Sequence, residues 1–139
     1  MTIRTHAVED SYDSLSDHLF SRIEEISRQR YYRFSRTPAW RPAVNVYEDA
    51  QCFYICAELA GMRKDQIHVE TRGRRITIHG ERAVPVPPEN PGPDCVLRME
   101  IDSGRFEQAV ELPDQADLDS TRARLIDGLL WITVAKRMP

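Results

Sequence analysis

From Pro42 onward apolar residues alternate with polar ones, the period of strands that bury one face. Val44 and Val46 form a first pair, and Phe53, Ile55, Ala57 and Leu59 a longer run. Ile67 and Val69, Ile76 and Ile78, and Leu97, Met99 and Ile101 follow. The pattern closes with Val110 and Leu112, Ala123 and Leu125, and Leu130, Ile132 and Val134. Turn-forming residues separate the runs: Glu48 to Gln51, Arg72-Gly73-Arg74, Asp102-Ser103-Gly104 and Asp127-Gly128. About eight short strands without intervening helices predict an all-β, immunoglobulin-like two-sheet sandwich. Residues 60–66 and 113–120, the latter opened by Pro113, read as longer crossovers.

Ahead of Pro42 the period changes. Residues 1–13 are polar and mixed, whereas Leu15, Leu19, Ile23 and Ile26 recur at helical spacing with Phe20 beside them. A short amphipathic helix is predicted near 14–30, its start marked by Ser14 and Asp17 in the manner of a capping box. The apolar stripe of such a helix must meet the domain or another subunit. Between 28 and 41, Arg28, Arg30, Arg33, Arg36 and Arg41 interleave with Tyr31, Tyr32, Phe34 and Trp40. Arginine and aromatic residues so arranged can bind RNA by phosphate contact and stacking. With no second basic element in the chain, an arm whose aromatics pack while its arginines stay solvated is the favoured reading.

One long stretch fits neither period. Residues 82–95 hold five prolines, which stiffen the chain and bar it from interior strand pairing. A loop of this length in a small domain usually has a task, and an extended arm suits reaching a second subunit.

Composition narrows the function classes. The 139 residues carry a formal charge of -3, which argues against a global field for nucleic acid or membrane, and no run approaches the ~20 apolar residues of a bilayer span. Without the basic-then-apolar layout of a signal peptide, the cytoplasm is the expected location. Cys52, Cys56 and Cys95 make no even disulfide framework. Their spacing lacks metal-ligand partners, so buried or half-buried thiols are expected. His68 with Glu70 and His79 with Glu81 each place an imidazole near a carboxylate. Neither pair has a third group or a nucleophile, so no enzyme, catalytic residue, metal or cofactor is predicted.

Three passages resemble the α-crystallin domain of small heat-shock proteins, of the bacterial type. Residues 43–49 with 53–70 are similar to its opening strands, and Arg75-Ile76-Thr77-Ile78-His79-Gly80-Glu81-Arg82 to its central strand. Gly104-Arg105-Phe106-Glu107, Val110-Glu111-Leu112-Pro113 and residues 123–136 are similar to its closing strands. The resemblance covers about residues 41–136 in order. Two departures stand out: Leu59-Ala60-Gly61 replaces the family's Leu-Pro-Gly, and Ala135-Lys136 its Pro-Lys.

The resemblance implies an organisation: an N-terminal arm at 1–41, a sandwich at 42–136 with a dimerisation loop at 82–103, and a residual end at 137–139. It further implies an ATP-independent holdase chaperone that binds partly unfolded proteins. The alternative, on the same sandwich, is an adaptor module that holds no client. A homodimer by strand exchange is expected, with Cys95, Val96, Leu97 and Arg98 pairing near Val44 and Val46 of the partner. Arg105 is expected to bond acids of 100–102 across that junction. Client binding is expected from Leu15, Leu19, Phe20, Ile23, Ile26, Tyr31, Tyr32, Phe34 and Trp40. A groove bounded by Ile67, Val69, Ala123 and Leu125 is a second expected client surface, with sandwich core an equal reading of the same residues because alternation alone does not say which face is which. The sequence ends at Pro139 without the family's Ile-x-Ile tail, so a dimer or small assembly is expected rather than a large shell. No nucleic acid or membrane partner is expected.

Overall fold

A computed structural model describes residues 40–138. Seven strands form two antiparallel sheets: β1 (Val44–Glu48), β2 (Cys52–Glu58), β3 (Ile67–Arg72), β4 (Arg75–Arg82), β5 (Gly104–Glu111), β6 (Arg122–Ile126) and β7 (Leu129–Ala135). The four-stranded sheet has the order β1-β2-β7-β6, and the three-stranded sheet β3-β4-β5. The chain therefore crosses between layers twice, through 59–66 and through 112–121, each ending in a single 3₁₀ turn (Lys64–Gln66 and Leu118–Ser120). These are the two crossovers that the sequence predicts.

Alternation explains the core. Phe53, Ile55 and Ala57 of β2 and Leu130, Ile132 and Val134 of β7 face Ile67, Val69, Ile76, Ile78 and Phe106 of the other sheet, and all are buried. Apolar burial of this kind contributes about 1.5–3 kcal/mol for each large side chain. Asp127 and Gly128 both take positive φ, 51° and 80°, so the tight β6–β7 turn is of the mirror-image kind that matches strand twist. At the β1–β2 turn the Asp49 carboxylate accepts from the Gln51 and Cys52 amides and from the Tyr54 hydroxyl. These bonds, Tyr54 foremost, hold the Asp49 carboxyl below its ordinary range.

The inward row of β4 runs Ile76, Ile78, Gly80, Arg82. Gly80 is there because a side chain would not fit: a Cβ would collide with the Gln66 carbonyl oxygen and lie 2.9 Å from the Phe106 ring. Gly80→Ala is therefore expected to destabilise the sandwich by about 3 kcal/mol, since backbone and a buried ring must both move. Urea unfolding of the two proteins measures it.

One predicted strand does not form. Leu97, Met99 and Ile101 alternate as a strand should, yet residues 97–101 join neither sheet. Their side chains are 91%, 41% and 60% exposed. The segment keeps the apolar alternation of a strand, and within one chain it has no neighbour to pair with.

Candidate functional site

The long loop between β4 and β5, residues 83–103, is pinned at its root. Val84 is buried under Val86 and Val96 in a small cluster apart from the main core. At the root, the Arg82 guanidinium is itself buried. Its Nε and Nη2 donate to the Asp102 carbonyl at 3.0 and 2.7 Å, and Nη1 donates to the Ala60 carbonyl at 3.3 Å. It lies 4.2 Å from the centroid of the Trp40 ring, within cation–π range. Glu58, at 3.9 Å, is its nearest carboxylate and is half exposed, so carbonyl oxygens rather than a counter-ion satisfy this charge. The arginine thus joins the two ends of the loop.

Trp40 completes that junction. It bridges Phe106 in parallel, its amide donating to the Arg105 carbonyl and its own carbonyl accepting from Glu107. Its indole Nε1 donates to Gly104 at 3.1 Å, and its ring sits 5.3 Å from that of Phe106. Trp40 was expected to hold clients; instead it packs into the sandwich, because an indole with a bonded N–H is more stable half buried.

The opposite partner of the predicted exchange is the free edge of β1. Ala43 accepts from Glu58 and Asp49 donates to Cys52, so Ala43, Asn45, Tyr47 and Asp49 turn their backbone groups toward β2. By the alternation of an antiparallel ladder, Val44, Val46 and Glu48 turn theirs outward. Val46 stands opposite the fully buried Ile55 and on the same face, yet is 49% exposed. An inward-facing valine without cover and an apolar segment without a ladder are complementary defects. Val44 packs on the core, so its contribution to an edge is backbone. Cys95, Leu97 and Arg98 are exposed and Val96 half buried.

Three comparisons bear on this arrangement. The model of the Hsp20/alpha crystallin family matches residues 45–139. The chain belongs to the Hsp20/alpha crystallin family. It is 33% identical over 126 residues to a 19.0 kDa class II heat shock protein of Oryza sativa, covering 84% of this chain and 72% of that protein. It is 29% identical over 132 residues to a 17.6 kDa class II heat shock protein of Arabidopsis thaliana. Among solved structures, a small heat-shock protein from Xylella fastidiosa superposes with a TM-score of 0.64 at 29% identity, covering 73% of this chain and 91% of that one. The hspA protein of Xanthomonas axonopodis gives 0.63 at 32%, covering 72% and 97%. Membership of a family of ATP-independent chaperones, not enzymes, follows.

Within the Hsp20 frame the other predicted residues divide. Leu15, Leu19, Phe20, Ile23, Ile26, Tyr31, Tyr32 and Phe34 lie outside the described residues. Ile67, Val69 and Ala123 are core, and Leu125 packs against them half buried, so these four offer little open surface within the described residues. Their burial follows from facing between the sheets, the side that alternation could not name. Arg105 is exposed opposite Glu81 in the β4–β5 register and has no ion pair among the described residues; the acids of 100–102 do not meet it within one chain. Arg82 is what sequence reasoning missed. Its signal was present, since it occupies the inward parity of β4 after Ile76 and Ile78.

Cys52 and Cys56 share the outer face of β2, half buried and buried, while Cys95 is exposed, which departs from the expectation of a covered thiol. Burial pushes the Cys56 thiol pKa up, away from reactivity. No helix among the described residues is long and apolar enough to cross a membrane.

On the outer face of the three-stranded sheet, His68 and His79 are register partners with stacked rings 5.1 Å apart. Glu70 lies 3.2 Å from His79 Nε2, and Glu107 stands opposite His79 on β5. Burial, then the neighbouring His79, lowers the His68 pKa from its ordinary 6.5. The folded state therefore favours neutral His68, and its contribution is whole above about pH 6.5 and declines as pH falls below it. Between pH 7.5 and 5.5 the thermal midpoint of the native protein should fall by about 1–2 °C more than that of His68→Asn, a small effect because the ring is screened by water. Equal slopes for the two proteins would reject the account.

Proposed function

We propose that this chain is an ATP-independent holdase that works as a strand-exchanged dimer. The observation that carries the reading is the unpaired 97–101 segment, whose apolar alternation matches the free, uncovered edge of β1. Adding 97–101 of one chain to β1 of its partner satisfies the outward backbone groups of Val44, Val46 and Glu48. It also covers Val46 with apolar side chains. The pinned root at Arg82 and Asp102 gives the loop a fixed take-off, which lowers the ordering cost of exchange.

Holding partly unfolded clients needs apolar surface and no chemistry of bond making. The stripe of Leu15, Leu19, Ile23 and Ile26 with Tyr31, Tyr32 and Phe34 supplies it. Three cysteines without disulfides suit a reducing compartment such as the cytoplasm. Suppression of aggregation of a heat-labile protein without ATP tests the proposal. The comparison is a chain beginning at Thr37, which keeps the Trp40 bridge. Full-length protein should protect and the shortened chain should lose most protection. No protection by the full-length protein defeats the holdase reading, whereas equal protection by both removes the arm as the client surface.

A further inference from the structure

The outer face of the four-stranded sheet sets an aromatic platform beside two arginines. Cys56 of β2 stands between Asn45 and Trp131, and Trp131 stands opposite Arg124. Strands β1 and β7 lie two strand spacings apart, about 9.6 Å, yet the stacked rings of Tyr47 and Trp131 have centroids 6.2 Å apart. Both rings therefore lean inward over β2. Cys56 beneath them is 8% exposed although it is on the outer face. On the β6 side of this platform, Arg122, Arg124, Ile126, Trp131 and Thr133 line a shallow cleft of about 380 Å³. Both arginines are exposed, and neither has an ion pair among the described residues.

No carboxylate lines the cleft. Asp49 is committed to the β1–β2 turn, and Glu58, two strands from β6, accepts from the Ala60 amide. The occupant must therefore bring the negative charge. A second copy is a poor candidate, because four strands of about five residues give a face of only about 300 Å², against the ~800 Å² per partner of a stable pair. Flat rings call for flat rings, since a base stacks on an aromatic side chain whatever its sequence. Arg122 and Arg124 alternate on one strand, about 6.7 Å apart, near the step between successive phosphates of an extended single strand. Thr133, opposite Arg122, adds a hydroxyl that can meet a ribose 2′-OH. The net charge of -3 argues only against a global field and leaves such a local pair its effect. The two arginines lie apart from Trp131 in sequence, and the β6–β7 register brings them beside it.

We infer that this face binds single-stranded RNA, with a base entering the cleft against Trp131 and Ile126 and successive phosphates meeting Arg122 and Arg124. Neither the β1 edge nor residues 97–101 take part, so the site is independent of the holdase reading.

Fluorescence anisotropy of a labelled oligouridylate, titrated with the full-length protein at about 50 mM salt, tests it. Two phosphate contacts make for weak binding, with a Kd of roughly 1–100 µM expected. Trp131→Ala should weaken it about 5- to 100-fold, the loss of one stacked base. Arg122→Gln with Arg124→Gln should lower the slope of log affinity against log salt by about 1.4, the share of two phosphates on a single strand. Those side chains are exposed, so the thermal midpoint of the arginine variant should hold. Trp131 covers Cys56; should its alanine variant fold poorly, the salt slope of the arginine variant decides alone. The deoxy oligomer should bind more weakly for want of the 2′-OH, and a duplex more weakly because its bases are not free to stack. A duplex or deoxy oligomer bound as tightly as the oligouridylate overturns the assignment, as does no binding at low salt. Equal binding by all three proteins also overturns it, and gives the RNA to the basic residues of 28–36. Displacement by polyglutamate as readily as by unlabelled RNA overturns it too, and leaves the face to an acidic peptide.

Discussion

Val46→Pro is expected to weaken dimerisation about 100-fold while leaving the sandwich folded. The Val46 amide points away from β2, because the ladder bonds of β1 fall on Ala43, Asn45, Tyr47 and Asp49. Proline there removes no hydrogen bond of the single chain, and an edge strand tolerates it. Once a partner segment adds to that edge, β1 becomes an interior strand and the same proline blocks a ladder bond and crowds the newcomer. A penalty of about 3 kcal/mol weakens the dimer about 100-fold. Sedimentation velocity over a dilution series measures this, and thermal melting of the dilute monomer supplies the control. Asn45→Pro is the contrast, since it breaks a bond to β2 and should lower the melting midpoint. If Val46→Pro dimerises as well as the native protein, the β1 edge is not the exchange site.

The strands that stand alone in one chain were legible because burial imposes period two on their side chains. Phe53, Ile55, Ile76, Ile78, Leu130, Ile132 and Val134 all read correctly for that reason. Residues 97–101 carry the same signal without a ladder, because alternation records which side must be covered and not which chain covers it. Trp40 failed in the opposite direction. Its neighbours Arg36 and Arg41 made it look like part of a solvated arm, and only the parallel bridge to Phe106 shows that the sandwich extends to it. The groove residues kept two readings, since apolar parity marks Ile67, Val69, Ala123 and Leu125 as a face to be covered without saying whether the other sheet or a bound segment covers it. Arg82 was legible in principle: an arginine at inward parity must find oxygen partners or be excluded, and the Asp102 and Ala60 carbonyls provide them.

Arg82→Leu tests that junction and should be the most damaging single change at the site. Leucine fills part of the volume but leaves the Asp102 and Ala60 carbonyls without their charged donor, and the Trp40 ring loses its cation. Stripping a buried charge-assisted network of this size costs about 2–4 kcal/mol, or roughly 10–25 °C in the midpoint of a unit of about 100 residues. Arg82→Lys keeps the charge and loses the fork that grips Asp102 twice, so an intermediate loss is expected. The functional consequence separates this variant from Val46→Pro. With Asp102 released, the root of the 83–103 loop frays and hydrogen exchange at residues 102–106 should quicken. Dimerisation should weaken in step with stability, because the exchange segment no longer leaves the sandwich in a fixed direction. Val46→Pro separates those two losses, and Arg82→Leu couples them. If Arg82→Leu melts like the native protein, the guanidinium is a passenger and the loop takes its direction from Val84 and Val96 instead.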